Sequence, residues 1–490
     1  MEKNLSDSLR LHAKTKPRQI ALIEGDQSWT YEQFNDLVDL GAHSLLQLGL
    51  KAGDVVGLCL KDHCAHVVLM WSCMRAGVVM LPLDWRWTYS EAKAVIEHFK
   101  AALVVVEPDH QLQAIKTCVW SDLLKDNVPK PFNIPEMTTL DSPLLLSLSS
   151  GTTGRPKGPM ITHQHFLRRF WTHWINLGLN ASSRYICATP MYFGGGRTFT
   201  LSVLFSGGTV ILYPPPFEPI DLAQTIQKYS ANALFLVPTQ LRRLLACDAD
   251  VKNVFGALQL LISSGSPLQP NEREAIFKTI CPEFNEYYAS TEGGGVSLCT
   301  PQDFKKYLTS VGRPIFGVEI SIVDDEDNDI GFGQVGKLRY KGPGVADSFY
   351  NDPQSSAEHF KEGWFYPGDL AEVNEDGYVF LRGRSKDIII RGGVNIYPNE
   401  IQDTLMTLPG LHDCCVLGIE DADLGERVAC AWVGESHLSQ EKLELHCREF
   451  LAPYKVPSHW IELDELPVNS GGKVVKDQIR LRLMHGKKSI

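Results

Sequence analysis

The sequence lacks an excess of positive charge: 47 Lys and Arg stand against 58 Asp and Glu, a net charge of −11. That balance argues against a nucleic-acid surface, while leaving room for a local basic patch on a phosphorylated cofactor. No run reaches the roughly 18 uninterrupted apolar residues that a membrane span needs. The longest candidate, 66–83, is broken by Arg75, Gly77 and Pro82. The first ten residues have no apolar signal-peptide core. The C-terminus, G-K-K-S-I, is not the peroxisomal S-K-L. Twelve cysteines are scattered without a C-x-x-C pair, and the adjacent Cys414 and Cys415 cannot readily bridge. All twelve read as reduced thiols of a cytoplasmic protein. There is no internal repeat and no low-complexity tract.

What is present is ordinary globular chemistry, 44% hydrophobic and 21% charged. A chain of 490 residues exceeds one core, so two or three domains are expected. β-type segments at 19–23, 28–31, 55–60, 78–83, 102–106, 209–212, 233–237 and 258–263 alternate with helical spacing, as at 32–48 and 64–75. This predicts an α/β fold, a large layered N-terminal domain with mixed or parallel sheets. The polar run 383–387 interrupts the pattern between a strand at 378–381 and the apolar Ile388-Ile389-Ile390. The residues beyond it suffice for one small α+β domain, so the expected division is 1–385 and 386–490.

The segment 147–158, S-L-S-S-G-T-T-G-R-P-K-G, follows the apolar Leu144-Leu145-Leu146. It gathers five hydroxyl residues, three glycines and one lysine. Glycines let a backbone approach phosphate closely, and hydroxyls and loop N–H groups donate to its oxygens. Ser149, Ser150, Gly151, Thr152, Thr153, Gly154 and Lys157 are therefore candidate triphosphate ligands. The segment is not a standard P-loop, because Pro156 precedes the lysine and Gly158 stands where a Mg²⁺-binding hydroxyl belongs.

The segment resembles the phosphate loop of the acyl-adenylating superfamily, which comprises acyl-CoA synthetases, adenylation domains and firefly-type luciferases. Four further blocks resemble the family in the same order, and the similarity spans nearly the whole chain. Tyr287-Tyr288-Ala289-Ser290-Thr291-Glu292 is similar to Y-G-x-T-E, with Ala289 for the usual glycine. The resemblance implies that Tyr288 stacks on adenine, Thr291 contacts the α-phosphate and Glu292 helps hold Mg²⁺. Tyr366-Pro367-Gly368-Asp369 is similar to the Y-x-T-G-D block, with Pro367 in place of threonine. Asp369 is then the ribose ligand, a role that suits an ionised carboxylate. The block 382–401 implies Arg384 on the ribose, a hinge at Lys386 about which the small C-terminal domain is mobile, and a thiol channel lined by Gly393. In Leu466-Pro467-Val468-Asn469-Ser470-Gly471-Gly472-Lys473, the last residue matches the family's mobile catalytic lysine. Such a cation neutralises charge that builds as a carboxylate meets an α-phosphate.

Met191-Tyr192-Phe193-Gly194-Gly195-Gly196-Arg197 is similar to the family segment whose aromatic residue gates the acid site. Phe193 takes that place. Amino-acid-activating relatives carry Asp at the next position, here Gly194, and a buried ammonium without a carboxylate is costly. The acid is therefore not an α-amino acid. Gly194, Gly195, Gly265, Gly293 and Gly294 either leave volume for an aromatic or medium- to long-chain acid or serve tight turns near phosphate. Arg197 either meets a polar group of the acid or, the favoured expectation, faces solvent.

The resemblance thus implies a ligase that uses ATP and Mg²⁺ to turn a small carboxylic acid into acyl-AMP and then passes the acyl group to coenzyme A. An acyl-carrier protein, whose phosphopantetheine ends in the same thiol, is the alternative acceptor. The competing classes are a P-loop-like hydrolase or kinase, which releases phosphate without an acid, and a nucleotide-binding protein without catalysis.

Overall fold

The computed structural model describes residues 4–109, 116–125, 134, 138–148, 157–421, 423–468 and 474–485. Its largest sheet has nine strands. Ile20–Glu24, Thr209–Leu212, Arg184–Cys187, Ala233–Leu236, Leu260–Ser263 and Phe284–Ser290 lie in that order and are all parallel. Antiparallel strands close both sides, Gln27–Thr30 on one and Gly294–Cys299 with Arg313–Pro314 on the other. A six-stranded sheet runs Thr117–Val119, Leu103–Val106, Val55–Cys59, Val79–Pro82, Pro143–Leu146, Met160–Thr162, antiparallel only at its last pair. These parallel strands read as unbroken apolar runs because both of their faces are covered.

One core holds residues of both sheets together with the helix Cys64–Ala76, whose residues are all buried. The helix residues are mostly apolar all round, with His66, Ser72 and Arg75 buried among them, so it has no solvent side and goes to the middle. Its ends are fixed locally: the His63 side chain accepts from the His66 N–H, and Gly77 closes it at φ 74°. Tyr31, expected to end a strand, instead opens the helix Tyr31–Gln47. Thr30 and Gln33 form a reciprocal cap there, and the buried Tyr31 hydroxyl donates to the Gly208 carbonyl at 2.6 Å.

A third, antiparallel sheet comprises Glu319–Val323, Gly336–Lys341, Phe360–Lys361, Trp364–Phe365, Asp369–Val373 and Val379–Arg384. The separate C-terminal unit is α+β. Its sheet of Ile389–Arg391, Val394–Ile396, Leu411–Asp421, Gly425–Gly434 and His459–Glu462 packs with the helices Pro398–Leu405 and Gln440–Phe450 around a core that includes Ile401, Val416 and Cys430. Among the described residues no helix is long and apolar enough to cross a membrane. All twelve cysteines are free thiols.

Candidate active site

Phe284–Ser290 carries Tyr288 toward the C-terminal edge of the parallel sheet, where folds of this class present ligand sites. Asp369 opens its strand directly opposite Arg384, the last residue of the neighbouring strand. Asp369 is 7% exposed. Its Oδ2 accepts from the Tyr288 hydroxyl at 2.5 Å, and its Oδ1 lies 2.7 Å from Arg384 Nε. Arg384 Nη1 also donates to the Pro367 carbonyl at 2.8 Å. The proline in the threonine position therefore contributes through its backbone. Burial, followed by the Asp369 charge, pushes the Tyr288 phenol well above its usual range, so it remains a donor. Three residues from separate sequence blocks thus meet at one point.

The turn after Tyr288 is held from beneath by a residue that motif reading missed. Arg169, buried in the helix His163–Leu177, donates from Nε to the Gly344 carbonyl at 2.9 Å. Its Nη2 donates to the carbonyls of Glu292 at 2.8 Å and Thr291 at 3.3 Å. The Ala346 N–H adds a second donor to the Glu292 carbonyl at 2.9 Å. Burial lowers the guanidinium to about 10, which leaves it charged at neutral pH. The Thr291 and Glu292 backbone is thereby pinned.

The glycines divide into two groups. A Cβ on Gly293 would stand 2.2 Å from the Tyr340 hydroxyl, on Gly294 2.9 Å from Arg169 Nε, and on Gly195 2.5 Å from the Phe235 ring. Protein already fills those spaces, so these three do not enlarge an acid pocket. Gly194 and Gly265 have nothing within 4 Å of that point, and they alone of the five retain the expected open space. Phe193 precedes the helix Gly194–Ser206, with its ring 4.5 Å from that of Tyr192.

Arg197 does not face solvent. It is 1% exposed, and it donates from Nη1 to the carbonyls of Met191 and Tyr192, both at 3.0 Å, and from Nη2 to Ser147 Oγ at 2.8 Å. The signal for burial was in the sequence: it is the only charged residue of an otherwise apolar and hydroxyl-bearing helix. Asp62, also unforeseen, accepts from the Met191 N–H at 2.7 Å. Burial raises its carboxyl to about 6.

Residues 9–350 match the model for AMP-binding enzymes, and residues 400–473 match that for the AMP-binding enzyme C-terminal domain. The chain belongs to the AMP-binding enzyme family. A 2-succinylbenzoate–CoA ligase of Bacillus licheniformis is 28% identical, with 96% of this chain and 98% of that protein covered. A feruloyl-CoA synthase of Amycolatopsis sp is 28% identical, with 96% and 97% covered. Among solved structures, o-succinylbenzoate CoA synthetase from Bacillus subtilis in complex with its acyl-adenylate intermediate has a TM-score of 0.89 at 25% identity, covering 98% of each chain.

Within this member of the AMP-binding family, Lys157 lies 5.4 Å from the Phe349 ring centroid. The following residue is locked, since a Cβ on Gly158 would sit 2.7 Å from the Phe99 ring and the Gly158 carbonyl accepts from the Tyr350 N–H at 2.8 Å. Ser149, Ser150, Gly151, Thr152, Thr153, Gly154 and Lys473 lie outside the described residues. Lys386 sits in the short turn Ser385–Asp387, where Asp387 pairs with Lys476 at 2.7 Å. Gly393 turns the hairpin between Ile389–Arg391 and Val394–Ile396 at φ 82°, with nothing within 4 Å of an added Cβ. Among the described residues no three His, Cys, Asp or Glu gather to hold a metal. A Mg²⁺ held by one carboxylate together with nucleotide phosphates needs no such group.

Proposed function

We propose that the protein is an AMP-forming acid–CoA ligase acting on an aromatic or otherwise extended apolar carboxylic acid. The observation that carries the reading is the convergence of Tyr288, Asp369 and Arg384 beside the pinned Thr291–Glu292 turn. That arrangement offers a flat ring for a base, a carboxylate for ribose hydroxyls, a hydroxyl for an α-phosphate and a hard oxygen for Mg²⁺. The residues fit ATP and its metal by donor type. The segment 147–158 grips the triphosphate. When bound, Mg²⁺ spreads charge from the phosphates, and Glu292 orients it.

In the first half-reaction, an acid carboxylate oxygen attacks the α-phosphorus and pyrophosphate leaves. Lys473 neutralises the charge gathering between carboxylate and phosphate. In the second, the coenzyme A sulfur attacks the acyl carbon and AMP leaves, with the thiol arm passing Gly393. We place the division between the two domains at Lys386, and the C-terminal unit turns there between half-reactions. Relatives named for succinylbenzoate and ferulate support an aromatic acid, as does the open space at Gly194 and Gly265. Gly194 supplies no carboxylate for an α-ammonium group. We assign the enzyme to the cytoplasm, in keeping with its free thiols.

The test is mass-spectrometric product detection with ATP, Mg²⁺ and a panel running from acetate through long fatty acids to benzoates and cinnamates, each with and without coenzyme A. AMP and an aryl- or acyl-CoA from one chemical class are expected. Acyl-AMP that persists despite coenzyme A would transfer the acceptor role to a carrier protein. Phosphate release without any acid would overturn the reading.

A further inference from the structure

We propose that the outer face of the helix His163–Leu177 is the contact through which two copies of this chain pair about a two-fold axis. A surface helix ordinarily turns polar residues to solvent. The inner face of this one is as expected: Phe166, Phe170, His173 and Leu177 are buried, and Arg169 with them. The outer face is not. Trp171 is 50% exposed, Trp174 59% and Ile175 50%, and the three follow the i, i+3, i+4 spacing of a single helical face. Phe316, 60% exposed, joins them from another segment. Its backbone N–H donates to Asn176 Oδ1 at 3.1 Å, which sets it beside the last turn of the helix.

A single exposed apolar side chain is ordinary, whereas a group of them on one face marks a contact surface. Charge and area say what covers it. From 171 to 178 the helix has no Asp, Glu, Lys or Arg. Its one histidine there, His173, is buried and lowered to about 3, so it is neutral. An uncharged, aromatic centre is the composition of a protein–protein interface core. A chain of net charge −11 has little attraction for an anionic bilayer. A second copy presents the same uncharged surface, and helices crossing antiparallel at a two-fold axis set each patch on its own image. A whole Trp side chain offers about 250 Å², and Phe and Ile rather less, so the exposed fractions amount to roughly 450–500 Å² per copy. Two copies together remove about 1,000 Å² from water before any flanking residue is counted, which is the area a specific interface must clear. The inner face of the same helix carries Arg169, so pairing braces the element that pins the Thr291–Glu292 turn.

The test is sedimentation velocity on the full chain from nanomolar to tens of micromolar, comparing wild type with Trp171→Glu, Trp174→Glu and, as a control on the C-terminal unit, Leu445→Glu, a position 67% exposed. Wild type should move with concentration from the 54.7 kDa of one chain to twice that mass. Tryptophan emission should shift to the blue over the same range. Each Trp→Glu variant should weaken pairing by about 100-fold or more, because tryptophans near the centre of an interface dominate its energy. Leu445→Glu should pair like wild type. Trp174→Ala adds no charge and carries the test if a glutamate variant fails to fold. Pairing through this face should also be nearly indifferent to salt, since no ion pair lies at its centre. A wild type that stays at one chain's mass throughout would overturn the proposal, and so would dimers that survive both tryptophan substitutions. Flotation of a single-chain wild type with phosphatidylcholine vesicles, lost in Trp174→Ala, would overturn it as well and give the face to a membrane surface.

Discussion

Arg169→Met should disable the enzyme without touching a single ligand-facing side chain. The guanidinium makes three hydrogen bonds to backbone carbonyls, two of them on Thr291 and Glu292. Bonds to a charged donor are each worth about 1.5–3 kcal/mol, and a buried carbonyl left without a donor loses a comparable amount. The loss is partly offset because methionine no longer buries a charge, which leaves a net cost of roughly 3 kcal/mol. The thermal midpoint should then fall by several degrees. The larger consequence is local. If the turn relaxes by about 1 Å, turnover should drop about 100-fold, because misplacement on that scale costs this much in an oriented site. The assay is acid-dependent pyrophosphate release titrated with Mg²⁺, alongside a melting curve and equilibrium binding of α,β-methylene-ATP. Turnover should fall and the Mg²⁺ requirement should rise, while nucleotide affinity, which the proposed function assigns to Tyr288, Asp369 and Arg384, moves far less. A folded Arg169→Met enzyme with wild-type turnover would refute the pinning argument.

Burial raises Asp62 to about 6 from an unperturbed 3.8, so between about pH 4 and 6 the folded chain binds a proton that the unfolded chain releases. Stability from this group therefore falls as pH rises through that window, by up to about 3 kcal/mol. Asp62→Asn should flatten the dependence, checked by denaturant melts at pH 4.5 and 7.5, and an unchanged slope would contradict it. Gly194→Val should leave the melting curve alone and shift acid preference toward smaller acids. Gly195→Val should cost about 1–3 kcal/mol of stability, because its Cβ meets the Phe235 ring at 2.5 Å. Gly393→Leu should preserve acyl-AMP formation and abolish acyl-CoA, and unchanged coenzyme A turnover would remove the channel assignment. Lys473→Ala should slow adenylation by orders of magnitude while thioester formation from supplied acyl-AMP survives. Equal loss of both steps would contradict its role.

What the sequence disclosed and what it concealed differ by a physical rule. The blocks that hold Tyr288, Asp369 and Arg384 were legible because each is a short run whose turn residues have their own requirements, and the fold brings the three side chains together. Gly368, for example, takes φ 79° immediately before Asp369. The strand and helix alternation was legible for a similar reason, since a strand covered on both faces must be apolar throughout. Arg169 and Asp62 were concealed because their partners are remote in sequence. Arg169 meets carbonyls 122 to 175 residues away, and Asp62 an amide 129 residues away. A carbonyl accepts equally well whatever side chain its residue bears, so neither end of such a contact leaves a motif. The glycines misled in the opposite sense. A glycine marks the absence of a side chain, and only the fold decides whether that space holds substrate, as is open to Gly194, or a neighbouring ring, as at Gly195. Contacts of side chain to distant backbone are therefore where a family member can differ from its relatives while every recognisable block stays intact. The turn before Phe193 carries one such contact, from the Met191 N–H to Asp62, which makes it a place to look for what sets this enzyme's choice of acid.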